Sequence, residues 1–168
     1  MYIRILLLWR VAMFRTMRLQ GNMTTVNEAE EMLKTATNGV LAVNGDDGYP
    51  YAVPVSYVYE NGKIYFHSTS ESSHKVESIK NNPKVSFCVV TQDNILPEAF
   101  NTLYRSVIAF GKAKVLTDQN EIEKAIMTIV RKYSGGFIEE GKAYMHAESG
   151  NFCVVEIDVE HMTGKAGS

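Results

Sequence analysis

At 168 residues the chain is long enough for one domain that buries roughly two thirds of its unfolded surface, and no second module is needed. Seventeen basic against nineteen acidic residues, with no like-charge block beyond Glu28, Glu30 and Glu31, exclude a nucleic-acid footprint and point to a small-molecule partner. Two cysteines, Cys88 and Cys153, lie in apolar strand-like runs, which excludes a disulfide framework or CxxC metal site and suits a reducing cytoplasm.

The chain opens with MYIRILLLWRVA, whose apolar run Ile5 to Trp9 is too short for a signal-peptide core or a membrane span. Met13 begins a more ordinary sequence, so residues 1–12 read as an extension and 13–168 as the domain, an amphipathic surface anchor being the alternative. Thr25 and Glu28 form a Thr-x-x-Glu capping box, and Val26, Ala29, Met32, Leu33 and Ala36 share one face, predicting a helix over 26–36. A strand follows at Gly39 to Asn44, then the turn residues Gly45-Asp46-Asp47-Gly48.

Tyr51, Val53, Val55, Tyr57 and Tyr59 alternate with smaller residues, the period of a strand, and Asn61-Gly62 predicts a two-residue hairpin turn into Lys63 to His67. Pro54 cannot donate to a ladder, which places it at an edge or bulge and leaves main-chain groups nearby for a ligand. Ser68, Thr69, Ser70, Ser72 and Ser73 precede a helix over 74–81 that Pro83 stops, with Ser72 or Ser73 as its N-cap. His74 and Lys75 in the first turn conflict with the positive end of the helix dipole, a conflict that a bound anion relieves. Hydroxyls, amides and a lysine at a helix start describe a phosphate site without a Gly-rich loop; a solvated serine-rich loop is the competing reading.

Lys84 to Thr91 and Ser106 to Leu116 read as strands joined by a loop, Asp93 to Tyr104, long enough to be functional, whose stretch from Phe100 to Arg105 is a lid, an interface or plain surface. Thr117 is the expected cap of the next helix, where Ile122, Ala125, Ile126, Ile129, Val130 and Tyr133 recur at helical spacing. Ser134-Gly135-Gly136 ends it, a flexible stretch runs to Gly141, and Phe152 to Val159 is the last strand. Strands arriving as hairpins, without regular βαβ alternation, predict a mainly β (α+β) fold: a six-stranded antiparallel barrel with peripheral helices. Dinucleotide, P-loop, G-x-S-x-G and H-E-x-x-H motifs are missing, and His67, His74, His146 and His161 are too scattered for a metal site. His67 ends a strand beside the phosphate loop, so it is either a packing residue or one that reaches a ligand.

The runs GVLAVNGDDGYPYAVPVSYVYENGKIYFHS, HKVESIKNNPKVSFCVV, RSVIAFGKAKVL and EIDVEHMTGKA, in that order, closely resemble the nitroimidazole-resistance (Nim) branch of the pyridoxamine 5′-phosphate oxidase-like flavin-binding split barrels. The resemblance covers about Met13 to Ala166. It implies a homodimer of split barrels with flavin mononucleotide (FMN) at the subunit interface, FAD remaining open. The flavin strand then corresponds to Tyr51, Val53, Pro54, Val55 and Ser56, and the strand end near ribityl chain and phosphate to Phe66, His67 and Ser68. The oxidases' phosphate-binding basic pair falls on His74 and Lys75, next to Ser73, and their flavin-contacting glutamine on Ser106, after Arg105.

The chain departs from the oxidases at Tyr51 and Ser56, which replace an arginine and a lysine, and at His161 to Lys165, which replace the C-terminal Arg-Leu-x-Pro segment. Lys165 is a substitute cation or part of a frayed end. The implied activity is therefore reduction of small electron-poor, nitroaromatic-type compounds, with transient NAD(P)H as electron source and His67 as proton donor or polar contact, not pyridoxamine phosphate oxidation. A non-catalytic flavin carrier, and a barrel for another flat cofactor such as heme, are the alternatives.

Overall fold

The computed structural model describes residues 14–69 and 71–167. The expected boundary at residue 13 lies outside them. Helix α1 (Val26–Thr35) starts where the capping box places it: Thr25 Oγ1 accepts from the Glu28 amide, and the Glu28 carboxylate accepts from the Thr25 amide. Strand β1 (Asn38–Asn44) follows, then β2 (Pro50–Ser56), β3 (Val58–Glu60) and β4 (Lys63–Ser68). Asn61 and Gly62 have φ of 52° and 78°, the positive values that a two-residue β3–β4 turn requires. Helix α2 (His74–Asn81) is N-capped by Ser73 and ends before Pro83. Two long strands, β5 (Lys84–Leu96) and β6 (Asn101–Val115), lead to helices α3 (Gln119–Tyr133) and α4 (Ile138–Ala147) and to β7 (Cys153–Gly167).

The seven described strands form one antiparallel sheet in the order β2-β1-β5-β6-β7-β4-β3. The two edge strands are consecutive in the chain, with Tyr57 alone between them. Only a sheet curled back on itself allows that, so the α+β architecture is a split barrel whose seam lies at Tyr57. Its interior holds Leu41, Tyr57, Phe66, Phe87, Val107 and Ile157, none more than 1% exposed, with α1 closing one opening through Leu33. Each such fully buried large side chain stabilises the fold by about 1.5–3 kcal/mol. A smaller apolar cluster, including Leu116, Ile126, Met145 and Val154, lies outside the barrel under α3 and α4.

The fold class is the expected one, with differences in detail. The strand predicted over Tyr51 to Tyr59 divides at Tyr57, giving seven strands instead of six. Asp93 to Tyr104 is mostly not a loop: ladder pairing continues to Leu96↔Asn101, and only Pro97–Ala99 and Phe100 turn. Asp118, not Thr117, caps α3, accepting from the amides of Asn120 and Glu121 at 3.0 Å. The stretch expected to be flexible contains the start of α4, and β7 runs past Val159 to Gly167, so Lys165 is a strand residue, not a frayed end.

Candidate functional site

The expected site residues fall into two groups. The first surrounds the start of α2. Ser73 makes no side-chain capping bond; its hydroxyl lies 3.1 Å from that of Ser68, which is buried at the end of β4 opposite Cys153. The His74 ring stacks on Tyr51 at 4.1 Å between centroids, and its Nε2 is 3.4 Å from Asp46 Oδ2. His74 is therefore engaged in holding α2 against β2 and the preceding turn. Lys75 is half-buried and has no ion-pair partner among the described residues. Its charge is felt at the foot of β7: burial pushes the Cys153 thiol up, Glu71 adds to this, and Lys80 and Lys75 oppose it. Lys80 is already bound to Glu71 at 2.8 Å, which leaves Lys75 as the uncompensated cation of the group.

A cation at the positive end of a helix, beside two serine hydroxyls, fits an anion. Lys75, Ser68 and Ser73 are the residues that could hold such a group. Strand β2 supplies the neighbouring wall. Tyr51, Val53 and Val55 are half-buried toward the interior, while Pro54 and Ser56 are exposed. As an edge strand, β2 keeps one row of main-chain groups outside the ladder, and Pro54 is tolerated there. The Phe66 side chain is fully buried in the barrel, so only its main chain can meet a ligand.

The second group is Arg105, Ser106 and Lys165. Ser106 pairs with Lys165, whose Nζ lies 4.7 Å over the Tyr104 ring, and Arg105 reaches Glu28 at 3.5 Å. Ser68 pairs with Cys153, twelve residues from Lys165 along the same strand. At about 3.3 Å per residue this is roughly 40 Å of chain. Within one chain the two groups stand at opposite ends of β7 and do not meet.

His67 is exposed and points away from the barrel interior, on the face of β4 beneath α3. It lines a cavity of about 520 Å³ between β4, α3 and α4, together with Thr69 and Tyr133. Sequence reading missed the α4 part of the wall, including Gly141, Tyr144 and Met145, because that helix, rich in charged and small residues, carries only a weak apolar periodicity. Tyr133 itself appears in the helical pattern, but its role does not. Its hydroxyl accepts from the Tyr57 amide at 2.9 Å and shares its proton between the carbonyls of Tyr57, at 2.6 Å, and Thr37, so it bridges the seam of the barrel.

No described helix is long and apolar enough to cross a membrane. The family model described as pyridoxamine 5′-phosphate oxidase matches residues 25–166. Among solved structures, the chain is similar to a candidate 5-nitroimidazole antibiotic resistance protein from Bacteroides thetaiotaomicron, at 23% identity over 86% of each chain with TM-score 0.68. It is also similar to a FAD-binding protein from Mesorhizobium loti, at 23% identity over 87% of this chain and 97% of that one, TM-score 0.62. A flavocytochrome from Azotobacter vinelandii aligns at 16% identity over 92% of this chain and 73% of that one, TM-score 0.79. Identities this low carry the fold alone, and no curated protein matches. The family match spans both residue groups and all seven strands: the chain belongs to the pyridoxamine 5′-phosphate oxidase family.

Proposed function

We propose that this chain is a flavin-binding oxidoreductase of the Nim type, which holds FMN between two copies of itself and reduces small electron-poor compounds such as nitroaromatics. The observation that carries the reading is Lys75, a cation without an ion-pair partner among the described residues, in the first turn of a helix whose N-cap Ser73 has its hydroxyl 3.1 Å from that of Ser68. Membership in the family supports it, as do relatives of the same fold whose names include FAD-binding, flavocytochrome and nitroimidazole resistance.

Dimerisation is part of the proposal. The outward face of β1, β5 and β6 carries Val40, Cys88 and Ile108 in one cross-strand row, with Val90 beside it, and no charge among them. Ser106 and Lys165 lie on the same face, so a second copy seated there brings its first group toward this chain's second group. Lys75, Ser68 and Ser73 hold the phosphate, and β2 main-chain groups orient the ring's polar edge. When bound, the flavin supplies the two-electron redox chemistry. His67, at the cavity edge, gives or takes a proton on the substrate side. The missing cations at Tyr51 and Ser56 leave a pyridoxal phosphate substrate without a seat, so pyridoxamine phosphate oxidation is not the activity.

The test is the visible spectrum and FMN affinity of the purified protein and of Lys75→Ala, followed by anaerobic reduction of a nitro compound with NAD(P)H. Loss of a charge-assisted contact is expected to weaken FMN about 10- to 100-fold. A colourless protein that takes up no FMN would sink the reading. Flavin that is bound but never bleached by NAD(P)H or a chemical reductant leaves a carrier, and a heme spectrum would replace FMN outright.

A further inference from the structure

The cavity beside His67 is bounded where α3 and α4 touch. Gly141 of α4 lies against Val130 of α3 so closely that a Cβ there would sit 2.6 Å from a Val130 methyl carbon. The two helices touch at that point, and the cavity that both residues line measures about 520 Å³, within the usual range for small-molecule sites. Its wall is largely apolar, with Ile129 and Val130 from α3, while Phe137 and Tyr144 stand at the mouth, 63% and 70% exposed. Among the described residues the charge on the wall has one sign: Glu140 and Glu148 line it, lysine and arginine do not, and the nearby Lys142 is bound to Glu139 at 2.8 Å.

We infer that this cavity binds a flat aromatic compound that is neutral or cationic and discriminates against anionic ones. Rings are held by apolar and aromatic walls. A cation gains from the two carboxylates and from the exposed faces of Phe137 and Tyr144, while a ligand carboxylate is repelled. His67 is the imidazole among the described residues that line the cavity. Use of the cavity as the seat of the redox substrate rests on the flavin reading; binding itself does not.

The experiment is titration calorimetry of the full chain with three probes sharing one ring: tryptamine, indole and indole-3-acetate. Tryptamine is expected to bind roughly tenfold more tightly than indole-3-acetate, with indole between them. The double variant Glu140→Gln, Glu148→Gln removes that preference. Ile129→Trp fills the cavity and weakens tryptamine at least about tenfold with the melting temperature and any flavin absorbance retained. Should that variant not fold, Phe137→Ala at the exposed mouth weakens tryptamine severalfold. The inference is overturned by the absence of saturation with millimolar tryptamine or indole, by equal or tighter binding of indole-3-acetate, or by full affinity in folded Ile129→Trp or in Phe137→Ala. A colourless protein that binds tryptamine as described defeats the flavin reading alone, and a flavin-loaded protein that binds none of the probes defeats this inference alone.

Discussion

Glu156 shows how single charges are managed on this scaffold. Its side chain is 7% exposed on the outer face of β7, with Lys63 at 2.9 Å and Lys114 at 3.4 Å. Burial alone would push its carboxyl up, but the two lysines outweigh burial and hold it below its usual value of 4.5. A carboxyl with a lowered folded pKa contributes stability that is present above the unfolded value and lost as pH falls through the folded one. Stability is therefore expected to fall from about pH 4.5 downward. Replacing Glu156 by Gln should flatten that acid limb and cost about 1–2 kcal/mol at neutral pH, less than a fully buried pair because both lysines are partly solvated. Urea denaturation of both proteins at pH 7 and pH 4 checks the sign and size. Lys75 is the opposite case, a cation with no such partner among the described residues, and the sequence already exposed it through its conflict with the helix dipole. The Glu156 pairing was not legible, because Lys63, Lys114 and Glu156 meet only when β4 and β6 flank β7.

At the scale of elements, the seam and the caps are the features that decide. Tyr57 interrupts one β run because its amide and carbonyl are bound by the Tyr133 hydroxyl instead of a neighbouring strand. Lys132 reinforces the same joint, donating to the Ala36 carbonyl and lying 4.6 Å over the Tyr57 ring. Burial pushes its ammonium pKa down. Tyr133→Phe keeps the ring and deletes the bridge, so it should destabilise by about 1–3 kcal/mol, with faster hydrogen exchange at the Tyr57 amide. Denaturation midpoints and amide exchange measure both effects. The start of α3 offers a sharper contrast. Asp118→Ala should cost about 1 kcal/mol, whereas Thr117→Ala should stay within about 0.5 kcal/mol, since Asp118 alone of the two makes the capping bonds. Equal effects in thermal melts would contradict that assignment. Sequence patterning located the helix start to within two residues, because Thr117 and Asp118 are both chemically able to cap.

For the molecule as a whole, the proposed dimer follows from the two halves of the site lying at opposite ends of β7. Ile108 is 42% exposed in the uncharged row on the barrel's outer face. Ile108→Glu places a charge there, so it should shift the protein to a monomer in sedimentation and weaken FMN at least about tenfold, although Lys75 is untouched. A monomer with unchanged FMN affinity would mean that one chain suffices for the site.

The sequence by itself determined the features that depend on near neighbours: the α1 capping box, the Asn61-Gly62 turn, the α3 periodicity, the span of α2 and the cation in its first turn. Such signals rest on contacts within about four residues of chain or on the strand period of two. Only the tertiary structure decided that the run from Tyr51 to Tyr59 splits at a seam, and that Asp93 to Tyr104 extends a ladder. It alone turned His67 toward the helices while Ser68 faces the barrel. Each of these depends on hydrogen bonds and packing supplied by partners remote in sequence, Tyr133 for the seam, the facing arm for the ladder and α3 for His67, and a local pattern contains no record of them.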